Sequence, residues 1–502
     1  MKIAFFLDAS SGLGGAGNLL LQQAILMSKL HDVIVVIPVN NKKNYNVEYA
    51  KRCEWNSIKY VCLPFDTATS FSGIDFTGAM NNAKYIEEFA VNEGIKFFHS
   101  VQLNLSVEYI SRKLKIPHLM DIYQLQDEEF ILCPGDIYPH YHLCDSNLYS
   151  NKWSYELNIE SRCIRPVALL DKIKRKLYDQ TKIKILMLGR VCVRKNQMAA
   201  IKAVENCSSN FKIELHIVGD FDDDYGDECK QYVLKNNLDK VIFFHGFISD
   251  VVPMLVGNDC LLCSSIDESF PSSIVEALSY DLTIISTPVA GVPELFVDKY
   301  NSFISDDFSF QCISKSISEC VIYYMNGKIK NIHKNAEKLW LENFDRKMIR
   351  ENIEKYYLDI LNSKKSYNIS CFEEIKKLVI RVEQLIDDID DSGEEWIRKR
   401  SVYYLMVQKY LCKGKIYIWG AGKRGELSFE LLKRICPETQ IVAFIDTNKS
   451  GMFCGLPIIR VENVSVNKND FYCVSFAIGS ELAVRYLKSQ GAYLYRQVWP
   501  MP

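Results

Sequence analysis

Two glutamates eight positions apart, Glu268 and Glu276, stand in the segment DESFPSSIVEALSYDLTIISTPVAGVPELF, directly after an apolar run. Pro271 falls where a helix would begin, at its first helical position, and turns the amides of Ser272 and Ser273 toward a helix N-terminus that favours an anion. Carboxylates in such a setting accept hydrogen bonds from neutral sugar hydroxyls, while phosphate rests on the amides. An isolated glutamate pair would read better as the surface of an α/β unit, but this pair is not isolated. Arg190 and Lys195, in LMLGRVCVRKNQ, follow another apolar run, and both project from the carboxyl edge of the sheet, where open α/β folds bind ligands. Together they can grip one diphosphate. A departing nucleoside diphosphate gains charge as the glycosidic bond breaks, and fixed cations stabilise it by on the order of 3 kcal/mol each without a metal.

The elements that must hold these residues repeat a β-loop-α unit. KIAFFL runs into the glycine-rich SSGLGGAGN, then into a helical stretch from about Leu19 to Leu30. Short apolar runs at 33–37, 96–98 and 118–120 alternate with helix-like segments to about Pro166, which implies a mostly parallel sheet. The pattern restarts at 183–188 and continues through 213–218, 241–244, 260–263 and 283–286. A third unit opens at Lys415 with IYIW, then GAGKRG, a helix from about Leu427 and a strand ending at Asp446. Gly420, Gly422, Gly425 and an acidic residue about twenty positions on are parts of a dinucleotide-binding fingerprint. The expected class is α/β, with two Rossmann-like doubly wound domains at 1–166 and 167–345. A crossover helix at 346–361, a helical connector at 362–412 broken by DDIDDSGEE, and a small Rossmann-like domain at 413–502 complete the chain.

Composition narrows the field. At 502 residues the chain exceeds one hydrophobic core, while 60 basic against 62 acidic side chains leave a formal charge of −2 and no sign of a nucleic-acid partner. The basic run from Lys172 to Lys184 reads as a solvated linker. Seventeen cysteines lack paired metal-ligand spacings. The single C-x-x-C, Cys260 and Cys263, lies in a strand-like run whose spacing sends the two thiols to opposite faces, so core rather than zinc is expected. Asp222 and Asp224 in FDDDYGD imitate a metal-binding D-x-D but follow a Rossmann-like strand, so a solvated loop and no metal are expected. No secretory leader and no apolar stretch of membrane-spanning length is present, which places the expected protein in the cytoplasm.

The segment from Ile183 to Ile304 resembles the donor domain of the retaining glycosyltransferases of family 4, which have the GT-B fold. The matching parts are Gly189-Arg190 with Lys195, HGFIS at 245–249, the Glu-x7-Glu of Glu268 and Glu276, and TPVAGVPE ending at Glu294. The loop with Gly14 and Gly15 resembles the family's GGA loop, extending the likeness over about residues 1–361. The resemblance implies a metal-independent hexosyltransferase-type enzyme that needs no cofactor and uses a UDP- or GDP-linked sugar. Its acceptor would be a glycan or lipid-linked sugar in polysaccharide biosynthesis, reached by peripheral contact at the inner membrane face. Arg190 and Lys195 would grip the diphosphate, Glu276 the ribose and Glu268 the transferred sugar, with Ser269, Phe270 and Glu294 beside them. Gly14 and Gly15 would admit phosphate or sugar, and the backbone at Phe247 and Ile248 would line the base pocket. The acceptor hydroxyl would attack on the leaving-group face, with the leaving phosphate taking its proton.

Several positions depart from the family pattern. Ser269 stands where glycine usually follows the first glutamate, Ala290 replaces one of two usual glycines, and Asn196 replaces the glycine after the lysine. A histidine expected six residues after Pro117 is Tyr123, leaving Asp121 or His118 as stand-ins; His99 matches another family histidine. The third unit resembles the small nucleotide-sugar-binding domains of certain sugar acetyltransferases, in which Asp446 would accept a ribose hydroxyl and Gly420 and Gly422 would admit a pyrophosphate. Two other classes fit parts of the chain: an oxidoreductase or epimerase built on that unit, and a non-catalytic nucleotide-sugar-binding scaffold.

Overall fold

The computed structural model describes residues 1–8, 15–39, 45–68, 74–123, 137–157, 159–173, 182–221, 224–363, 367–386, 414–435, 437, 440–467, 469–475, 480–492 and 498–500. The first sheet collects β1 (Lys2–Phe6), β2 (Asp32–Pro38), β3 (Lys59–Leu63), β4 (Phe97–Val101), β5 (His118–Asp121), β6 (Tyr141–Cys144) and β7 (Glu160–Cys163). Its order is β3-β2-β1-β4-β5-β6-β7, all parallel, so the winding direction reverses between β1 and β4. The second sheet holds β8 (Ile183–Leu188), β9 (Ile213–Val218), β10 (Ile242–Gly246), β11 (Cys260–Cys263), β12 (Thr283–Ser286) and β13 (Phe303–Ile304), ordered β10-β9-β8-β11-β12-β13. Here the reversal falls between β8 and β11. A doubly wound sheet opens a crevice at the carboxyl ends of its reversal strands, where neighbouring crossovers leave on opposite faces. Each sheet is buried on both sides, as its near-continuous apolar strands require. Cys260 and Cys263 obey the same rule: one joins the core on one face of the second sheet, the other the core on the opposite face.

The helix Arg346–Asn362 leaves the second sheet and lies on the first. Asp345 caps it by accepting from the amides of Lys347 and Met348, and Ile349, Ile353, Tyr356 and Tyr357 sink into the core beneath β1 and β4. The third sheet contains β14 (Ile416–Trp419), β15 (Ile441–Asp446), β16 (Gly451–Phe453), β17 (Leu456–Arg460), β18 (Phe471–Val474) and β19 (Val498–Pro500). Its order is β16-β17-β15-β14-β18-β19, parallel except for β16. The helix Ser370–Ile386 packs on the helix Phe76–Glu93 of the first domain and on Lys423–Ile435 of the third. Phe372 stacks on Tyr109 at 5.5 Å beneath the Arg112 guanidinium, and Tyr109 Oη donates to Glu373 at 2.9 Å. The described part of the connector is therefore a packed element. The acidic DDIDDSGEE lies outside the described residues.

Candidate functional site

The loop after β8 and the loop after β11 flank the reversal of the second sheet, and they bring Lys195 onto Glu268. Lys195 Nζ is 2.5 Å from Glu268 Oε1, Arg194 Nη1 is 3.0 Å from Oε2, and Ser265 Oγ donates to Oε1 at 3.2 Å. Gln197 Nε2 donates to the Arg190 carbonyl at 2.9 Å and fixes the turn from below. Gly189 and Gly219 make this crowding possible. Both have positive φ, and a Cβ on Gly219 would stand 2.1 Å from the Gly189 carbonyl oxygen. The Lys195 stem runs past Gly189, with Cε 3.4 Å from where a Cβ would sit. Arg190 is exposed and pairs with no described residue. It is thus a free cation beside a neutralised one.

The helix Ser272–Ser279 begins one residue later than the sequence suggests. Pro271 is its N-cap, with ψ 111° in the extended region, rather than its first helical residue. Ser273 reaches a recess lined also by Lys195, Ser264 and Ser265. Glu276, one turn on, accepts no hydrogen bond from a described residue, and burial pushes its carboxyl up to about 7 against the pull of Arg52 and Lys195. Arg52 belongs to the first domain, on the helix Val47–Trp55, and donates to Asn18 Oδ1 at 2.7 Å. Neither local spacing nor residue pattern marks Arg52, because the carboxylate it faces lies more than two hundred positions away.

Other expected site residues sit differently. Glu294 does not face Lys195. Its carboxylate accepts from the amides of Asn147 (3.0 Å) and Leu148 (2.9 Å) and pairs with Arg165 at 2.7 Å, so it caps the first-domain helix Asn147–Leu157 from the second domain. The Phe270 ring is buried among Phe296 and Phe344, away from solvent. Ser269 turns toward the first domain and donates to Asp145 Oδ1. Phe247 is exposed and Ile248 packs on the core, after Gly246 at φ 70°. Gly15 opens the helix Gly15–Met27, and Gly14 lies outside the described residues.

The departures have physical accounts. Asn196 occupies the left-handed region (φ 56°), which asparagine tolerates best after glycine, and its Nδ2 donates to Phe308 O. Ala290 is left-handed too, at φ 33°. Tyr123 Oη donates to Asp121 Oδ2 at 3.0 Å, while His99 and Gln23 hold the same carboxylate at 2.7 and 2.9 Å. Asp121 is fully buried. His118 is equally enclosed, between Ser100 and Glu108 at 2.7 Å each. Neither stand-in for the family histidine opens to the cleft.

In the third domain Gly425 permits tight strand-helix packing, since a Cβ there would meet Gly420 O at 1.8 Å. Asp446 is not free: Oδ2 accepts from the Ala421 amide at 3.0 Å and Oδ1 from the amides of Asn448 and Lys449. The Lys449 ammonium donates in turn to Ala421 O. Gly422 has open space around it. Of the D-x-D pair, Asp222 is outside the described residues, and Asp224 is an exposed first residue of the helix Asp224–Lys235. No cluster of three metal-ligating side chains occurs among the described residues. Of the basic run, residues 174–181 lie outside the described residues; at its ends Lys172 donates to the Leu278 carbonyl and Lys182 pairs with Glu214. Among the described residues no helix is long and apolar enough to cross a membrane.

Residues 171–339 match the family model described as Glycosyl transferases group 1, a span that contains Arg190, Lys195, Glu268 and Glu276. An uncharacterised glycosyltransferase of Methanocaldococcus jannaschii is 26% identical over 199 residues, 38% of this chain and 48% of that protein. The chain spans about half the length of the curated relatives it matches. Among solved structures, a glycosyltransferase from Rickettsia africae superposes with a TM-score of 0.60 at 17% identity, covering 72% of this chain and 99% of that one. Anabaena HepE in complex with UDP and glucose superposes with a TM-score of 0.58 at 17% identity, over 72% and 100%. The chain thus carries a glycosyltransferase group 1 domain, and its first two domains have the GT-B fold.

Proposed function

We propose that the chain is a retaining, metal-independent glycosyltransferase that moves a sugar from a nucleotide-sugar donor to a glycan or lipid-linked acceptor. The observation that carries this reading is the Lys195–Glu268 pair at the reversal of the second sheet, with Arg190 free beside it and Glu276 unpaired one helical turn away. A diphosphate placed there meets the Arg190 guanidinium, the Lys195 ammonium and the Ser273 amide, so the charge released on glycosidic cleavage is met by fixed donors. Glu276 offers two acceptor oxygens to a ribose diol. Glu268, held by Lys195, Arg194 and Ser265, presents a fixed carboxylate edge to sugar hydroxyls. UDP-sugars are the first donors to test, because the Anabaena neighbour was captured with UDP and glucose.

Calorimetry of the full chain against UDP- and GDP-sugars, with transfer and donor hydrolysis assayed in parallel, tests the reading. Binding of one sugar nucleotide that Arg190→Ala weakens at least about tenfold, with activity unaffected by EDTA, supports it. Binding of NAD alone, through the third domain, overturns it in favour of a redox or epimerase activity; donor binding without transfer or hydrolysis favours a scaffold. A nucleotide at the third domain's loop would have to displace Lys449 from Ala421 O and compete with Asp446 for the Ala421 amide, which favours an accessory role for that domain.

A further inference from the structure

Between the two GT-B domains lies a buried carboxyl that the donor site does not use. Asp145 directly follows β6 of the first domain and is 2% exposed. Its Oδ1 accepts from Ser269 Oγ, which also stands 3.0 Å from Ser146 Oγ and 3.5 Å from Cys144 Sγ. Ser269 is the residue after Glu268. The dipeptide Glu268-Ser269 is therefore held from two sides, by Lys195 and Arg194 of its own domain and by Asp145 of the other. The glycine usual in the resembling family at position 269 would have no atom to make this bond. Arg165 completes the seam: Nη1 donates to Asp145 O at 2.9 Å, and Nη2 pairs with Glu294 at 2.7 Å.

We propose that Asp145 is a positioning residue for Glu268, acting through Ser269 Oγ to fix the Glu268 turn when the two domains meet. This rests on the transferase reading for its effect on catalysis, though the contact itself does not. The groups facing Asp145 are Arg165, which favours its charged form, and Glu268, which opposes it, with Tyr123, Cys144 and Cys163 close by. Burial outweighs the rest and pushes the Asp145 carboxyl up to about 8. Its neutral form is thus the one present at pH 7, able to accept the Ser269 proton without pressing a second charge on Glu268. An opened turn would expose Asp145 to water, where the carboxyl ionises near its usual 3.8, so the turn's advantage over the opened form falls as pH rises toward about 8 and is level above it.

The test compares the full-length native chain with Asp145→Asn, Asp145→Ala and Ser269→Ala by two readouts between pH 6 and 10. One is kcat and KM for transfer or donor hydrolysis. The other is hydrogen exchange of residues 264–270, corrected for its intrinsic pH dependence and independent of catalysis. Asp145→Ala and Ser269→Ala should lower kcat about tenfold or more with a smaller change in donor KM, and Asp145→Asn, which keeps the accepting oxygen, should rescue it to within about threefold. The native turn should lose protection as pH rises from 6 toward about 8 and level off above it, while Asp145→Asn shows no such slope. If Asp145→Ala fails to fold, Ser269→Ala carries the test. A turn whose exchange ignores Ser269→Ala, together with a slope below about pH 8 unchanged in Asp145→Asn, overturns the proposal even where sugar nucleotide binds. A turn that responds as stated in a protein that binds no sugar nucleotide upholds the positioning contact and sinks the transferase reading instead.

Discussion

Glu276 illustrates how a carboxylate can be tuned by what is absent. Burial holds its proton up to about pH 7, while Arg52 and Lys195 pull the other way. A ribose diol donates best to the ionised form, so donor affinity should fall as pH drops below about 7, approaching about tenfold per pH unit at the acid end. Isothermal titration between pH 5.5 and 8.5 should show this slope in the native protein and a flat profile in Glu276→Gln. Ala290 is a second residue-scale case. Its φ of 33° belongs to glycine, and such strain costs about 1–3 kcal/mol in a residue with a Cβ. Ala290→Gly should therefore raise stability by about 0.5–1 kcal/mol in urea unfolding, since relief of strain exceeds the entropy glycine adds to the unfolded chain.

Elements here are joined across domains by their ends. The helix Asn147–Leu157 begins with amides that its own domain does not satisfy, and Glu294 of the second domain supplies the acceptor while Arg165 neutralises it. Capping interactions of this kind contribute about 1 kcal/mol. Glu294→Ala should lower the thermal midpoint by a few degrees and increase hydrogen exchange at the start of Asn147–Leu157, while donor affinity measured by calorimetry changes less than about threefold. A large loss of donor affinity would return Glu294 to the donor pocket. The sequence showed the Glu294 motif clearly, but which domain its carboxylate serves depends on a helix start nearly 150 positions earlier.

The whole molecule is held together by helices that leave one domain to cover another. Arg346–Asn362 buries Tyr356 and Tyr357 under the first sheet, with Tyr357 Oη 2.6 Å from His99 Nδ1. Ser370–Ile386 then joins the third domain to the first through Phe372, Ile375 and Val379 in a shared apolar core. Phe372 is completely buried, and Phe372→Ala should cost about 3–4 kcal/mol through lost burial and a residual cavity. Urea unfolding followed separately by fluorescence and by hydrogen exchange of Phe76–Glu93 should show both reporters shifting; a shift confined to the third domain would mean that the domains unfold independently.

Much of the architecture was legible in the amino-acid sequence, because alternating apolar strands and amphipathic helices are local patterns with fixed periods. The glycine-bearing turns after β8 and β14, the burial of Cys260 and Cys263 on opposite faces, and the nearness of cations and glutamates to a carboxyl edge all follow from that periodicity. Tertiary structure alone decided the partners. It gave Lys195 to Glu268, turned Ser269 and Glu294 toward the first domain, set Arg52 against Glu276, enclosed Asp121 and His118, and closed Asp446 on its own loop. The physical reason is range. Period and turn chemistry are set by residues a few positions apart, whereas the burial and charge that define a site come from segments that only folding brings together.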